Sequence, residues 1–254
     1  MRILVCVKRV PAPGAKIVLT PDGQDIDATL LGFAVSPHEE CAVEEAVQIV
    51  ERQGGSVTVM TLGPPEAEEQ LRSAVAVGAT TAVLLPTGIP DWDPVTTANA
   101  LTAAIKRVEN EGDPFDLIMF GNESADSGGY QVGIRVARAL GRPIVSGIKG
   151  IDTHEGSITA RRQTPSGSEV YRLPLPAVLA VKEGINLPRY PTLKGRMMAR
   201  RATISRIEPT PGAGGQSKVL LATPPSTGTK VEILGQGAEA APAIVDMLEG
   251  LGLV

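Results

Sequence analysis

Short continuous apolar runs alternate with longer segments of helical periodicity through the first 140 residues. The runs at 2–7, 56–62, 82–85 and 116–120 fit buried strands. Between them, apolar residues recur at the spacing of one helix face. The first such segment starts at Ser36-Pro37-His38-Glu39, with Ser36 as N-cap, Pro37 at the first helical position and Glu39 completing a capping box. Its inner face holds Ala42, Val43, Ala46, Val47 and Val50, and Gly54-Gly55 stops it near Gln53. Further helices are predicted from about 66 to 77, from Asp93-Pro94 to about 107, and after residue 130, with Val132, Val136, Ala137 and Leu140 on one side. Four βα units predict an α/β fold, a mainly parallel sheet with helices on both faces. Residues 15–35 form a long first connection with β-like pieces at 17–19 and 26–28.

The pattern then changes. Short β-type pieces at 144–148, Ile151, 157–162, 168–173 and 177–182 have turn signals at Gly156 and Ser166-Gly167, so antiparallel strands extend the sheet. Residues 183–204 lack core periodicity, and Pro188, Pro191 and Gly195 delay any helix until near Leu193. Residues 205–232 are rich in Pro, Gly, Ser and Thr and read as an arm; 239–249 is a final amphipathic helix with Pro242 in its first turn. The expected organisation is an α/β nucleotide-binding domain over 1–204 and an arm with a terminal docking helix over 205–254.

The richest chemistry lies after the run ending at Phe120. Gly121-Asn122-Glu123-Ser124-Ala125-Asp126-Ser127-Gly128-Gly129-Tyr130 is small or polar and leads into Gln131-Val132-Gly133-Ile134. A strand, a glycine-rich loop and a helix can bring backbone N–H groups against an anion. Asn122, Glu123 and Asp126 could meet ribose hydroxyls or an adenine edge. The stretch is neither G-x-G-x-x-G nor a P-loop, and it also reads as a plain βα connection. The strand ends at 7–10 and 62–64, with Thr96 and Thr97, could line the same crevice. Arg135 sits on the following helix.

Other chemistries find little support. The two histidines, His38 and His154, and the two cysteines, Cys6 and Cys41, have no metal or disulfide-framework spacing. No G-x-S-x-G elbow is present, and Asp91 and Asp93 around Trp92 read as a helix cap. A bound nucleotide or redox cofactor with no catalytic residue beside it remains. A net charge of −4 gives no nucleic-acid footprint. No apolar run reaches membrane-spanning length, and no signal segment precedes the first strand, so a cytoplasmic protein without membrane insertion is expected. Aromatics at 3% leave the core to aliphatic residues. Arg189, Arg196, Arg200, Arg201 and Lys194 surround Tyr190, Leu193 and Met197, a mix that suits a contact surface and equally a solvated basic loop with Leu193 tucked in.

The residues Val7-Lys8-Arg9-Val10, Ala42-Val43-Glu44-Glu45-Ala46, Gly63-Pro64, Leu71-Arg72, Gly78-Ala79, the Gly121 loop and Leu173-Pro174-Leu175-Pro176-Ala177-Val178 together carry a resemblance. It culminates in Asn186-Leu187-Pro188-Arg189-Tyr190-Pro191-Thr192-Leu193-Lys194-Gly195-Arg196-Met197-Met198-Ala199-Arg200. The chain resembles the beta subunit of electron transfer flavoprotein, including the FixA group, strongly over about 1–205. The resemblance implies an adenine-nucleotide-hydrolase-like α/β fold and an obligate heterodimer. The alpha subunit would hold most of the FAD, and the beta chain would be an electron carrier subunit, not a stand-alone enzyme. Electrons would come from flavin dehydrogenases, such as the acyl-CoA dehydrogenases of fatty acid β-oxidation. They would leave toward a quinone oxidoreductase, or toward nitrogen-fixation or bifurcation pathways.

Carried over by residue, the resemblance places AMP against Cys6, Ser36, Pro37, His38, Glu39, Leu62, Glu123, Ser124, Ala125, Asp126, Ser127, Gly128, Gly129, Tyr130, Gln131, Val132, Gly133 and Ile134. Bifurcating members hold a second FAD in that pocket, where Thr96 and Thr97 could flank the ring. AMP-type members tend to carry Asn where this chain has Tyr130; Gln131-Val132-Gly133 agrees with the bifurcating group, whereas Asn122-Glu123-Ser124 and the large Tyr130 depart from it. The segment 183–201 resembles the family's recognition loop, with Leu193 as anchor and Arg189, Tyr190, Arg196, Met197 and Arg200 around it. His38 and Pro13 stand where animal members carry phenylalanine and tyrosine, and Met198 and Arg201 where those members carry lysines. A non-redox adenine-nucleotide-binding regulatory protein is the remote alternative.

Overall fold

The computed structural model describes residues 1–88, 92–212, 214–225 and 231–254; Asp91, paired above with Asp93, lies outside them. The strands are β1 (Arg2–Cys6), β2 (Arg9–Pro11), β3 (Phe33–Val35), β4 (Ser56–Gly63), β5 (Thr81–Pro86), β6 (Leu117–Gly121), β7 (Ile144–His154), β8 (Ser157–Thr164), β9 (Gly167–Pro174), β10 (Ala177–Val181) and β11 (Ile204–Arg206). The helices are α1 (Pro37–Gln53), α2 (Glu68–Val77), α3 (Pro94–Asn110), α4 (Gln131–Leu140), α5 (Leu193–Arg201) and α6 (Ala241–Gly250).

Among the described residues the main sheet runs β11-β5-β4-β1-β6-β10-β7-β8-β9. The parallel α/β core is as expected, and β8 and β9 extend it as antiparallel strands. Ile151 is not isolated: it belongs to β7, which is continuous through His154. β10 belongs to the parallel part, inserted between β6 and β7 and parallel to both. All five of its residues, Ala-Val-Leu-Ala-Val, are buried, as suits a strand covered on both faces. After β1, Arg9–Pro11 pairs with Phe33–Val35 as a two-stranded antiparallel ladder. Leu19 and Ile26 form an isolated antiparallel bridge.

The sheet divides the core into two layers. Ile3, Val5, Leu117 and Met119 face α1 and α2 with Ala42, Ala46, Ile49 and Leu71; Leu4, Met60, Leu85 and Ile118 face α3 and α4 with Leu101, Ile105 and Val136. Ile49, rather than the partly buried Val50, completes the buried face of α1. Gly78 ends α2 at φ 131°, where a Cβ would lie 2.7 Å from Val47 Cγ1, so the end of α2 meets α1 at a point only glycine fits. Residues Met1–Val219 form one compact unit and Leu220–Val254 a second. The second contains a 3₁₀ turn, Gly237–Ala240, leading into α6, with Pro242 in the first turn of that helix.

Candidate functional site

The chain leaves β1 toward β4 on one side, and β6 lies on the other. The crevice outside the carboxyl ends of β1 and β6 is therefore the topological switch point, where open α/β sheets place ligands. Three segments converge there: residues 7–8 after β1, the first turn of α1, and the loop after β6.

Gly121 makes the convergence possible. A Cβ on it would lie 2.7 Å from Glu39 Cγ and 3.2 Å from His38 Cβ. The first turn of α1 thus runs directly against the end of β6. Ser36 occupies the N-cap position, with Pro37 following, but its hydroxyl makes no capping bond. That buried Oγ has no hydrogen-bond partner among the described residues. Glu39, at the third helical position, supplies its half of the expected capping box, since the Ser36 backbone N–H donates to its carboxylate. Its Oε2 accepts the backbone N–H of Lys8 at 2.6 Å, tying α1 to the chain leaving β1.

Burial raises the Glu39 carboxyl to about 8; Asp126 pushes the same way, and Lys8 opposes through its N–H and its charge. Burial, with Glu39 adding, also pushes the Cys6 thiol far up, so Cys6 is an unreactive buried thiol at the end of β1. The Lys8 ammonium reaches across to Asp126 Oδ2 at 2.6 Å. Burial opposes ionisation of Asp126, but Lys8, Ser124 and the Ser127 N–H outweigh it and hold the carboxyl below its usual range.

His38 is buried and links two segments. Its Nδ1 accepts the backbone N–H of Glu183 at 2.8 Å, and its Nε2 faces Glu123 Oε1 at 3.3 Å. Glu123 also lies beside the phenol of Tyr130 and raises its pKa. The loop itself is folded by local bonds: Ser124 N donates to Gly129 O, Gly128 N to Ser124 O, and the Ser124 and Ser127 hydroxyls meet at 2.8 Å. Asn122 fastens it to the sheet, donating its N–H to Val181 O and accepting from Gly147 N at 2.8 Å.

Tyr130 stands at the N-cap of α4 without a side-chain cap, so the orphan N–H groups of that first turn adjoin the loop. Gly133 lets α4 lie on β6, since a Cβ there would be 3.1 Å from the Phe120 ring. Gln131 is paired with Arg135 along the outer side of α4. Ala125, Val132, Ile134 and Pro37 complete the converging segments, and Leu62 lies at the end of β4, partly buried. Thr96 and Thr97 sit in the first turn of α3, where their hydroxyls donate to Asp93 and to Trp92 O. Asp93 caps that helix by accepting from Val95 N, as the sequence predicts.

The segment after β10 builds a separate surface. Tyr190 is 92% exposed and Leu193 78%, with Leu187, Met197, Arg196 and Arg200 also exposed. Leu193 is therefore not tucked in. Arg189 differs from its neighbours: its guanidinium turns inward onto Glu44 and Glu51 of α1. Sequence reasoning named Arg189 but missed its partners and the roles of Lys8, Asn122 and Glu183. A lysine directly after the first strand was a usable signal for Lys8; the other links join residues far apart in the chain and left no local signal.

Among the described residues, no three metal-ligating side chains come together, and no helix is long and apolar enough to cross a membrane.

The electron transfer flavoprotein domain family model matches residues 28–211. The electron transfer flavoprotein subunit beta of Mycobacterium leprae is 33% identical over 261 aligned residues, covering 97% of each chain. That of Bacillus subtilis is 33% identical over 211, covering 82% of this chain and 79% of its own. Protein FixA of Sinorhizobium fredii is 33% identical over 208, covering 80% and 73% respectively.

Proposed function

Because the chain belongs to the electron transfer flavoprotein family, as a relative of its beta subunits and FixA proteins, we propose that it carries electrons as the beta half of an alpha–beta heterodimer. The observation that supports a nucleotide role most directly is the crevice at the β1/β6 switch point. Lys8 from one side and the Gly121–Tyr130 loop from the other converge there with the Ser36 hydroxyl, which has no partner among the described residues.

These residues fit an adenine mononucleotide. Lys8, the first turn of α4 and the Ser124 and Ser127 hydroxyls suit a phosphate, and Ser36 and Asp126 suit ribose hydroxyls. Cys6 and Leu62 suit an adenine face. AMP is the reading adopted. A second FAD in its place is favoured by Gln131-Val132-Gly133 and disfavoured by Asn122-Glu123-Ser124, while Tyr130 matches neither group. The alpha subunit would hold the main FAD, which supplies the redox chemistry. This chain would shield one edge of it, with His38 near that edge.

In this reading residues 183–201 face the electron donor, a flavin dehydrogenase of the acyl-CoA dehydrogenase kind, with Leu193 as the anchor and Tyr190, Met197, Arg196 and Arg200 around it. Electrons then pass to a quinone oxidoreductase or another acceptor. Residues 205–254, ending in α6 with its apolar Ile244, Val245 and Met247, dock on the alpha subunit. The protein works in the cytoplasm without entering a membrane.

The test is co-expression with an alpha subunit. The proposal predicts a yellow one-to-one complex, and a lower yield of it when residues 205–254 are deleted. A full-length chain that purifies alone and colourless beside its coexpressed partner contradicts it.

A further inference from the structure

Segment 183–192 has no regular secondary structure, yet it presents exposed Leu187 and Tyr190 in one fixed arrangement beside Leu193. What fixes it is a set of acids on α1. Glu44, Gln48 and Glu51 lie on one face of that helix at spacings of four and three. Glu44 is 4% exposed in its side chain, a position where an acid needs a partner.

The partner is Arg189. Its Nε lies 2.9 Å from Glu44 Oε2 and its Nη2 3.0 Å from Glu44 Oε1, while its backbone N–H donates to the same carboxylate at 3.2 Å. Its Nη1 and Nη2 also reach the two oxygens of Glu51 at 2.6 and 2.9 Å. Gln48 donates to Glu44 at 2.7 Å and fixes the acid from the helix side. Burial opposes ionisation of Glu44, but the bonds from Arg189 and Gln48 prevail and keep it charged.

Two neighbouring ties repeat the pattern. Asn186 Nδ2 donates to Glu45 Oε2 at 3.0 Å and to Cys41 O at 3.1 Å. Arg72 of α2 donates to Ala199 O at 2.6 Å and Ala202 O at 3.1 Å, closing the end of α5. An open cleft of about 1000 Å³ remains between α1, α2 and the segment, lined among others by Val43, Glu44, Arg72, Arg189 and Tyr190. Ile185 packs on the core at the start of the segment, and beyond it discrete polar ties hold the chain beside the cleft.

We propose that the Arg189–Glu44–Glu51 clamp is a positioning latch that presets residues 186–193 for their partner, so that it governs how tightly the electron donor is engaged and not how fast electrons move. This inference rests on the reading of 183–201 as the donor-facing surface. A loop held in its bound arrangement loses less conformational freedom on docking, and affinity rises without a new contact. The forked guanidinium matters because it meets two carboxylates at once and also orients the chain at Arg189, which the point charge of a lysine cannot do.

The experiment compares Glu44→Gln, Arg189→Lys and the milder, surface-facing Glu51→Gln in the alpha–beta complex, with Leu193→Ala as a control. Amide hydrogen exchange across 185–192 and steady-state reduction by an acyl-CoA dehydrogenase are both measured. The latch predicts exchange faster by about tenfold in Glu44→Gln and Arg189→Lys, a smaller change in Glu51→Gln, and unchanged flavin content. It predicts a KM for the dehydrogenase raised by about tenfold with kcat within about twofold. Unchanged exchange overturns the latch, as does faster exchange with unchanged KM, or a fall in kcat alone. If Leu193→Ala raises KM and the clamp variants do not, the latch fails and the surface reading stands. If Leu193→Ala also leaves KM unchanged, or the dehydrogenase does not reduce the wild-type complex, the surface reading fails and the latch with it.

Discussion

His38 Nδ1 accepts the backbone N–H of Glu183 at 2.8 Å, so the ring proton of the neutral imidazole resides on Nε2, where it points at Glu123 Oε1. One side chain thereby joins the loop after β6 to the start of the segment after β10. His38→Leu removes both bonds inside a buried site and should cost about 1–3 kcal/mol of stability. His38→Gln, which can accept and donate at similar reach, should recover part of that loss. Denaturant titration of the complex measures both, and equal stability of all three proteins would contradict the bridging role.

Glu39 gives a pH prediction whose sign is fixed. Folding raises this carboxyl from its ordinary value to about 8. Across that window the folded chain holds a proton that the unfolded chain has released, so the contribution to stability is full at the acid end and is lost as pH rises through about 8. Asp126, held below its usual range, behaves oppositely and loses its contribution only as pH falls through its lowered value. Glu39→Gln keeps an acceptor for the Lys8 N–H and removes the titration. The variant should gain on the wild type progressively from about pH 5 to about pH 8. Parallel pH–stability curves would contradict the buried protonated acid.

Gly195 brings α5 against α2. A Cβ there would fall 2.1 Å from the backbone oxygen of Ala76, which cannot swing aside. Gly195→Ala should cost about 1–3 kcal/mol, as overpacked sites do, and should displace the surface that carries Leu193. A thermal midpoint equal to the wild type's would contradict the close approach.

Leu193 tests exposure against function. Because the side chain is 78% exposed, Leu193→Ala should change stability by less than about 0.5 kcal/mol and leave flavin content intact. It should still weaken electron transfer from the dehydrogenase at subsaturating concentration. Unchanged transfer rates would remove Leu193 from the anchor role.

The elements easiest to read in the sequence were those with local punctuation. Pro37, Gly54 and Gly78 mark helix ends by backbone conformation and Asp93 by a side-chain cap, and each stands at the end it predicts. Ser36 shows the limit: its position at the N-cap was legible, but no local residue pattern marks that its hydroxyl makes no capping bond. The parallel insertion of β10 was not legible, because a fully apolar strand shows no alternation to reveal its neighbours. The ladder between β2 and β3 was hidden by its length, three residues on each side of a long connection.

Within the candidate site, the glycine-rich loop and the first turn of α1 were visible as chemistry. Their mutual contact was not, since Lys8 meets Asp126 across 118 residues and His38 meets Glu183 across 145. Arg189 looked like part of a basic rim because a charged side chain in a loop carries no mark of direction. Only the buried Glu44, itself on what looked like the polar face of α1, reveals that it turns inward.

The nucleotide content of the purified alpha–beta complex, by acid release and chromatography, tests the central claim most directly. A single-flavin electron carrier with an adenine mononucleotide in the β1/β6 crevice predicts one FAD and one AMP per heterodimer. Two FAD and no AMP would contradict it, making the crevice a second redox site and electron bifurcation the leading function.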